Sequence, residues 1–324
     1  MTKIPTTTLG ALQRAPFVHL RSRTMQQEKM TTETQTLVVY PISAAVRKAE
    51  LFLEKVESIT ASNDVQKKFI DSIHAYCKGD VDRIREIESI ADTNHKNINK
   101  WLAERGFQIQ LGDFGPGGFG VASVLDLFGH WAVKGKKWSV RTEDDVYYPG
   151  IKMTNFGKEF YRVKENPNFI IEIETRENDH VYLMMANEVP TGLGLLDFVE
   201  KIHNEKQTVP FDYDGFIFPK IDLDEEIALD WLLGLRFETP NGKEPFYVIS
   251  QALQQTKLKM NEEGFRVKSA VALGILAGAA PERKEPYEIN RPFLMWITRE
   301  GLSKPLFIAY LNKDVWKDPK GLDM

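Results

Sequence analysis

His74 and Cys77 are the pair of residues that comes nearest to a metal site in this sequence. They lie three positions apart, so a helix would place both side chains on one face. Asp80 is the one further ligand type close by, whereas a zinc site takes three or four protein ligands. We therefore interpret the two side chains as a half-buried pair, and we predict neither a metal nor a cofactor.

A second chemical pattern is the segment Gly115-Pro-Gly117-Gly-Phe-Gly120, which matches the G-x-G-x-x-G of dinucleotide-binding folds. Those glycines bring a helix N-terminus close to a pyrophosphate, but only within a strand–helix–strand unit. A strand is predicted over residues 107–111, yet residues 121–128 lack the pattern of a crossover helix. The sequence therefore favours a flexible loop.

A nucleophile with a nearby base is not evident either. The chain has no G-x-S-x-G, and its six histidines are scattered singly. The acidic cluster Asp222, Asp224, Glu225 and Glu226 lies where a helix over 224–235 is predicted to begin, and acids there favour the helix dipole. From its chemistry alone, the protein is not expected to be an enzyme.

Composition narrows the classes further. The 324 residues include 42 Lys+Arg and 46 Asp+Glu, for a formal charge of -4, and a single cysteine. Such a balance gives no reason to expect a nucleic-acid partner. One cysteine excludes an internal disulfide, and no apolar run reaches the ~18 residues that a membrane span needs.

The N-terminus differs from the rest of the chain. Its first 27 residues contain no acid but several basic and hydroxyl side chains, a composition typical of an organellar transit peptide. A disordered basic tail is the equally weighted alternative. We predict an extension over residues 1–34, directed to mitochondria or another organelle, with a cytoplasmic protein as the alternative.

Hydrophobic spacing predicts the elements that would position any site. A short strand at 37–40 is followed by mostly helical residues over 42–105, with Ser43 as an N-cap and a separate short helix over 81–90. Strands then dominate, interrupted by helices at 195–204 and 224–235, and the chain ends in an apolar hairpin over 293–311. Because the helices come first and the strands later, residues 35–324 are predicted to form one α+β domain.

The most unusual segment lies near the C-terminus. A strand-like stretch leads into Asn261-Glu-Glu-Gly264, and about 25 residues rich in Ala, Gly and Pro follow before Arg291. Loops of that length inside a compact domain are uncommon and are usually functional.

At this point the sequence resembles the serpins, whose reactive-centre loop begins at such a hinge and ends before a strand like Arg291-Pro-Phe-Leu294. Further motifs follow the family's order across residues 37–319. They are Tyr40-Pro-Ile-Ser43, Ile98-Asn-Lys-Trp-Leu-Ala-Glu104, Lys134-Gly-Lys-Lys-Trp138, Phe218-Pro-Lys-Ile-Asp-Leu223 and Pro305-Leu-Phe-Ile-Ala309. The resemblance implies a large central mixed sheet, smaller barrel-like sheets and helices, with fewer early helices than usual.

The resemblance also assigns roles to particular residues. The hinge is Glu262, Glu263, Gly264 and Phe265, and Trp138 marks the region where the sheet opens, in the protein interior. The shutter, where the sheet parts to admit the loop, corresponds to Tyr40, Ser43, Gly129 and Gln254, of which three depart from the family's residues. Phe265 stands where the family has a small hydroxyl residue, so we expect overpacking unless the slot is enlarged.

Two functions follow from these assignments. The first is a non-inhibitory serpin-like protein that binds a protein partner or belongs to a larger assembly. The alternative is a serine or cysteine protease inhibitor with residues 265–284 as its reactive-centre loop. The candidates for its scissile bond are Ala277, Gly278, Ala279, Ala280, Arg283 and Lys284.

Overall fold

The structure is a computed structural model, which describes residues 29–154, 160–164, 166–210, 212–266 and 285–322. The helices within these residues are α1 (Val39–Leu53), α2 (Asp64–Lys68), α3 (Ala75–Asp80), α4 (His95–Glu104) and α5 (Leu193–Glu205). A π-helical turn, Phe69–His74, joins α2 to α3, and 3-10 turns cover Val81–Arg83, Asp230–Leu232 and Lys313–Val315.

Strands make up most of the rest of the described chain. In chain order they are β1 (Met30–Thr31), β2 (Gln35–Leu37), β3 (Ser58–Thr60), β4 (Ile87–Asp92), β5 (Gly120–Leu125), β6 (Gly129–His130), β7 (Lys136–Arg141), β8 (Tyr147–Met153), β9 (Phe160–Arg162), β10 (Ile170–Glu174), β11 (Asp179–Met185), β12 (Val189–Pro190), β13 (Gln207–Val209), β14 (Phe216–Pro219), β15 (Ile221–Ala228), β16 (Arg236–Glu238), β17 (Phe246–Val248), β18 (Leu253–Asn261), β19 (Gly264–Arg266), β20 (Tyr287–Glu288), β21 (Phe293–Arg299) and β22 (Phe307–Leu311).

The largest sheet is formed by β13-β9-β10-β11-β21-β22-β2. Its central strands β11, β21 and β22 are almost wholly buried, which explains their nearly continuous apolar sequences. The C-terminal hairpin expected over 293–311 is confirmed, and so is the helix expected at 195–204, which is α5.

Smaller sheets surround this core. A mixed sheet has the order β20-β14-β8-β7, and a second four-stranded sheet has the order β15-β18-β19-β6. The pairs β4-β5 and β1-β12 and the three strands β17-β16-β3 complete the set. The mixture of helices and sheets makes the fold α+β, as the sequence predicted.

The acidic cluster is where the prediction of a helix is wrong. Residues 221–228 form β15, and its alternating side chains bury Ile221 and Leu223 while Asp224 is exposed. All eight of its residues pair with β18. Long-range pairing therefore overrides a local pattern that looked helical, and the acids cap no helix.

Two other segments also differ from the prediction. The short helix expected over 81–90 is only a 3-10 turn at Val81–Arg83, and β4 follows it because Ile87–Asp92 pairs with β5 along its whole length. Residues 107–111, predicted as a strand, belong to none.

Helix α1 begins earlier than the sequence indicated. Strand β2 ends at Leu37 and the helix starts at Val39, so Ser43 lies inside the helix and is not its N-cap. Pro41 is tolerated in the first turn, because the amide of that position would have no helical acceptor.

The described part of the N-terminal extension lies at the edge of the fold, where Met30 and Thr31 pair with β12. The division into an extension (1–34) and one domain (35–324) stays a prediction. Within the described residues, no helix is both long enough and apolar enough to cross a membrane.

Candidate functional site

The predicted hinge forms a tight turn that leads back into the sheet. Glu262 and Glu263 occupy the turn between β18 and β19. Strand β19 then pairs antiparallel with β18 on one side, where Phe265 faces Met260, and with β6 on the other, where Phe265 faces Gly129. The start of the predicted loop is therefore the third strand of a four-stranded sheet.

Phe265 fits its slot because the facing residue has no side chain. It is only 1% exposed, and its ring lies 5.6 Å from that of Trp131. A Cβ on Gly129 would approach to 2.5 Å from the Phe265 Cε1 atom, closer than real contacts allow. The overpacking expected at Phe265 is thus relieved by the enlarged slot, and the two departures from the family compensate one another.

Gly264 is fixed by the same close approach. A Cβ at this position would overlap the carbonyl oxygen of Gly129 on the neighbouring strand. The φ angle of Gly264 is not positive, so its backbone conformation does not require a glycine. The glycine is needed because β19 and β6 lie too close together for a side chain.

Backbone hydrogen bonds fasten the hinge turn to the residues around β6. The amide of Gly135 donates to the carbonyl of Glu262 (2.8 Å), and that of Trp131 donates to the carbonyl of Glu263 (3.1 Å). The Trp131 indole Nε1–H donates to the carbonyl of Asn261 at 2.9 Å. The turn is therefore fastened to residues 131–135 by three hydrogen bonds.

Ion pairs add to this attachment. The ammonium of Lys220, whose side chain is only 4% exposed, lies 2.8 Å from Glu262 and 3.0 Å from Asp318. Lys134 pairs with Glu263 at 2.7 Å nearer the surface. Burial, the largest single influence, would raise the pKa of Glu262. The hydrogen bond and charge of Lys220, a backbone amide and the charge of Lys137 together outweigh it and hold that pKa below the ordinary value. Burial likewise opposes the charge of Lys220, yet Glu262 and Asp318 raise its pKa above the ordinary value.

Trp138 does not lie in the interior, and this prediction is wrong. It is 51% exposed on β7, opposite Gly150 of β8. The glycine offers no side chain to cover the indole, and the only cation near its face among the described residues is Lys152, 5.1 Å from the ring centroid.

The four residues assigned to the shutter have different partners. The hydroxyl of Tyr40 donates to Asp80 (3.0 Å) and accepts from the amide of Lys304 (3.0 Å), and burial raises its pKa. Ser43 Oγ lies 2.6 Å from Nδ1 of His74. Gly129 faces Phe265, and Gln254 bonds elsewhere, so no hydrogen bond between described residues joins the four into one network.

The possible metal ligands are likewise engaged or buried. His74 bonds Ser43, Asp80 bonds Tyr40, and Cys77 is fully buried, with its pKa raised to about 12 chiefly by burial. Over the described ranges, no group of three or more His, Cys, Asp or Glu side chains could hold a metal ion. The pair is thus fully rather than half buried.

The sequence did not predict the most prominent feature, a cavity of about 600 Å³ between β5 and β18. The edge of β5 that faces away from the cavity pairs with β4, and the edge of β18 that faces away from it pairs with β15. Along the edges that face each other, β5 and residues 253–258 form no ladder with any described strand. The space continues the line of β19 beyond Arg266.

One helix lies on each side of this gap. Ala122 and Val124 of β5 pack with α4, whereas Val121 and Leu125 alternate to the other face and pack with the core that contains α1. Residues of both helices line the cavity. The segment predicted as a flexible glycine loop turns at 116–117 and runs into β5, so it borders this gap, and a strand rather than a helix N-terminus follows its glycines.

Two glutamine side chains of the strand region hold residues 107–112, the segment that follows α4 and lines part of the cavity. Oε1 of Gln255 accepts from the amides of Gln108 (2.6 Å) and Ile109 (3.2 Å), and Oε1 of Gln251 accepts from Gly112 (2.6 Å). The one signal that could have indicated the gap was the alternation of Gln254, Thr256 and Leu258, which puts two polar residues on an inward face. The scissile candidates Ala277, Gly278, Ala279, Ala280, Arg283 and Lys284 lie outside the described residues.

Comparison with known proteins supports one architecture. No family model matches the sequence, and no curated protein does. Among solved structures, the chain is similar to the crystal structure of mouse protein-Z dependent protease inhibitor, with a TM-score of 0.53 and 14% identity. The match covers 86% of this chain and 90% of that one.

The fold is therefore serpin-like. The expected α+β arrangement with few early helices is confirmed, since only α1 to α3 and their connecting turns precede β4 in the described chain. At this identity the likeness establishes the fold and leaves the activity to be argued from the site.

Proposed function

We propose that this protein is a non-inhibitory member of the serpin-fold proteins and acts by binding a protein partner. The observation that carries the proposal is the position of Phe265, which is 1% exposed within β19. The first residues of the predicted loop are already part of a sheet.

The physical reason lies in where an inhibitory serpin stores its free energy. The resemblance implies a loop that stays outside the sheet until it is cleaved, and the burial and pairing gained on insertion then drive the trap. Here Gly264 and Phe265 are already paired and buried in the sheet before any cleavage. The hinge bonds of Glu262 and Glu263 also fix the base of the loop, which restricts how it can be presented to a protease.

A protease inhibitor is the second candidate, and the gap between β5 and β18 favours it. Continuing the register of β19 would place Val267 beside Leu258 and Val271 beside Gln254. Val267, Ser269 and Val271 would then share the inward face with Phe265. Residues 265–284 would serve as the reactive-centre loop, and the similar mouse protein is itself named a protease inhibitor.

Incubation with a panel of serine and cysteine proteases, followed by denaturing electrophoresis, separates the two candidates. For the non-inhibitory protein we expect simple cleavage, with fragments and no covalent complex. An SDS-stable band at the summed mass of chain and protease would overturn the proposal in favour of inhibition.

A thermal measurement gives an independent answer. We expect a nick between Ala270 and Lys284 to leave the melting temperature almost unchanged, since the hinge is already inserted. Full insertion of a new strand would instead raise it by tens of degrees, because each kcal/mol shifts the melting temperature by about 2–4 °C in a domain of 150–250 residues. A strong rise on nicking would show that the loop inserts.

The cellular location is also a proposal. The composition of residues 1–34 supports an organellar protein, and a fusion of this segment to GFP should accumulate in mitochondria or plastids. Diffuse cytosolic fluorescence would leave the basic-tail interpretation.

A further inference from the structure

The gap between β5 and β18 has the dimensions and lining of a small-molecule site. Its volume of about 600 Å³ lies within the range of ordinary ligand pockets, ~300–1,000 Å³. The walls are mostly apolar. Residues that line them include Ile42, Ala45 and Val46 of α1, Leu102 of α4, and Val124 and Leu258.

Two side-chain atoms of this lining are buried without a hydrogen-bond partner, Nε of Arg105 and Oε1 of Gln254. Gln254 is 7% exposed, and its amide nitrogen donates to Thr256 Oγ1 (3.0 Å) and to Thr36 Oγ1 (3.4 Å). Its Oε1 accepts no hydrogen bond in the structure. A buried acceptor left unsatisfied costs free energy, because it has lost its hydrogen bond to water. A molecule that brings a donor into the cavity would recover that cost.

The surroundings of Gln254 indicate which kind of donor fits. Thr36, which receives the bond from Gln254, itself donates to a carboxylate oxygen of Glu225 at 3.0 Å. Burial raises the pKa of Glu225, so its charged form is already unfavourable there. A second carboxylate beside it would add repulsion, whereas a neutral hydroxyl would not.

The rim adds an apolar entrance. Phe119 and Tyr247 both line the cavity, their ring centroids lie 5.6 Å apart, and Phe52 stacks on Phe119 at 4.9 Å while remaining 42% exposed. Arg105 also lines the cavity; its charge is paired with Glu88, which lies 2.6 Å from Nη2, and only its Nε lacks a partner. The rim therefore offers aromatic surface and no uncompensated cation for an anionic headgroup.

We propose that the cavity between β5 and β18 binds an elongated, largely hydrocarbon molecule with one neutral hydroxyl, which donates to Oε1 of Gln254. This ligand would fill the space that a further strand of the sheet would need. The inference is independent of the proposed function, because it requires neither a protease nor movement of the loop.

Isothermal titration of the full chain tests it with three probes of matched length: 1-decanol, its isosteric ether 1-methoxynonane and decanoate. We expect 1-decanol to bind about tenfold more tightly than the ether, a difference of ~1.4 kcal/mol. Decanoate should bind no better than the ether. Equal affinities for alcohol and ether, or no binding of any probe to the wild-type protein, would overturn the proposal.

Two variants locate the site. Gln254→Leu should retain the ether but lose the tenfold preference for the alcohol, and Ala45→Phe should abolish binding of all three by filling the cavity. Circular dichroism and melting curves establish that both variants are folded. If either variant fails to fold, the ratio between alcohol and ether in the wild-type protein still decides the matter. Undiminished decanol binding by folded Ala45→Phe would place the ligand elsewhere.

Discussion

The edge of β18 that faces β5 and β6 is paired with a strand at one end and borders a cavity at the other. At the hinge end the paired strand is β19, with Phe265 against Gly129 and Trp131 and with the turn bonded to residues 131–135. At the other end, between residues 253–258 and β5, the structure has a cavity lined by an unsatisfied amide oxygen.

This difference shows how one strand can accept a neighbour over part of its length. Pairing is complete where a large side chain meets a glycine, because the contact surfaces are complementary in size. Beside residues 253–258 no described strand pairs with this edge of β18, and the inward face there carries the polar residues Gln254 and Thr256. The hinge end should therefore be sensitive to small changes in volume, and the cavity end tolerant of them.

The largest expected effect is at Phe265. Truncation by Phe265→Ala removes a fully buried ring and should cost about 3–5 kcal/mol in the free energy of unfolding. Urea denaturation followed by tryptophan fluorescence measures it. A loss below about 1 kcal/mol would mean that β19 contributes little to the sheet and would remove the contrast between the two ends.

The complementarity of the pair can be measured separately. Gly129→Ala should cost about 1–3 kcal/mol in the wild-type protein, because the new methyl group collides with the ring of Phe265. In a Phe265→Ala background the same change should cost almost nothing. A double-mutant cycle gives the coupling, and additive losses would contradict direct contact between the two residues.

The buried ion pair should produce a smaller, pH-dependent effect. Glu262→Gln removes one partner of Lys220 but leaves Asp318, so we expect a loss of about 1–3 kcal/mol at neutral pH. Because the pKa of folded Glu262 lies below its ordinary 4.5, the unfolded chain binds more protons between those two values. The stabilisation is thus complete above pH 4.5 and disappears as the pH falls through the lower, folded pKa.

Melting curves from pH 3 to 7 should show a flatter acid limb for Glu262→Gln than for the wild-type protein. Glu263→Gln is the matched control, because its pair with Lys134 is largely exposed and should be worth less than about 1 kcal/mol. Identical pH profiles for wild type and Glu262→Gln would remove the role assigned to this pair.

The smallest effect is expected in the cavity. Gln254→Leu removes an unsatisfied oxygen along with two hydrogen bonds, so unfolding should change by less than about 1 kcal/mol. Asn261→Ala, at the hinge end of the same strand, removes the acceptor of the Glu263 amide and should cost about 1–2 kcal/mol. A larger loss at Gln254 than at Asn261 would reverse the comparison.

Sequence reasoning succeeded where the evidence is local. The runs at 293–299 and 307–311 are apolar and short, and they form the buried hairpin that was expected. It failed where a distant partner decides, as at 221–228, which becomes a strand through its pairing with β18. The burial of Trp138, which the resemblance implied, is not found, because the facing residue Gly150 has no side chain to cover the indole.

In the candidate site, too, some features could be predicted from the sequence and others appear only in the tertiary structure. The order of helical and strand patterns along the sequence determined the α+β class. The resemblance of its motifs to the serpins implied the order of elements and the position of the hinge turn. Only the tertiary structure decided that Gly129 makes room for Phe265, that Lys220 neutralises Glu262, and that a cavity separates β5 from β18. Those contacts join residues far apart in the chain, and their energies depend on the register and closeness of strands, which no local pattern specifies.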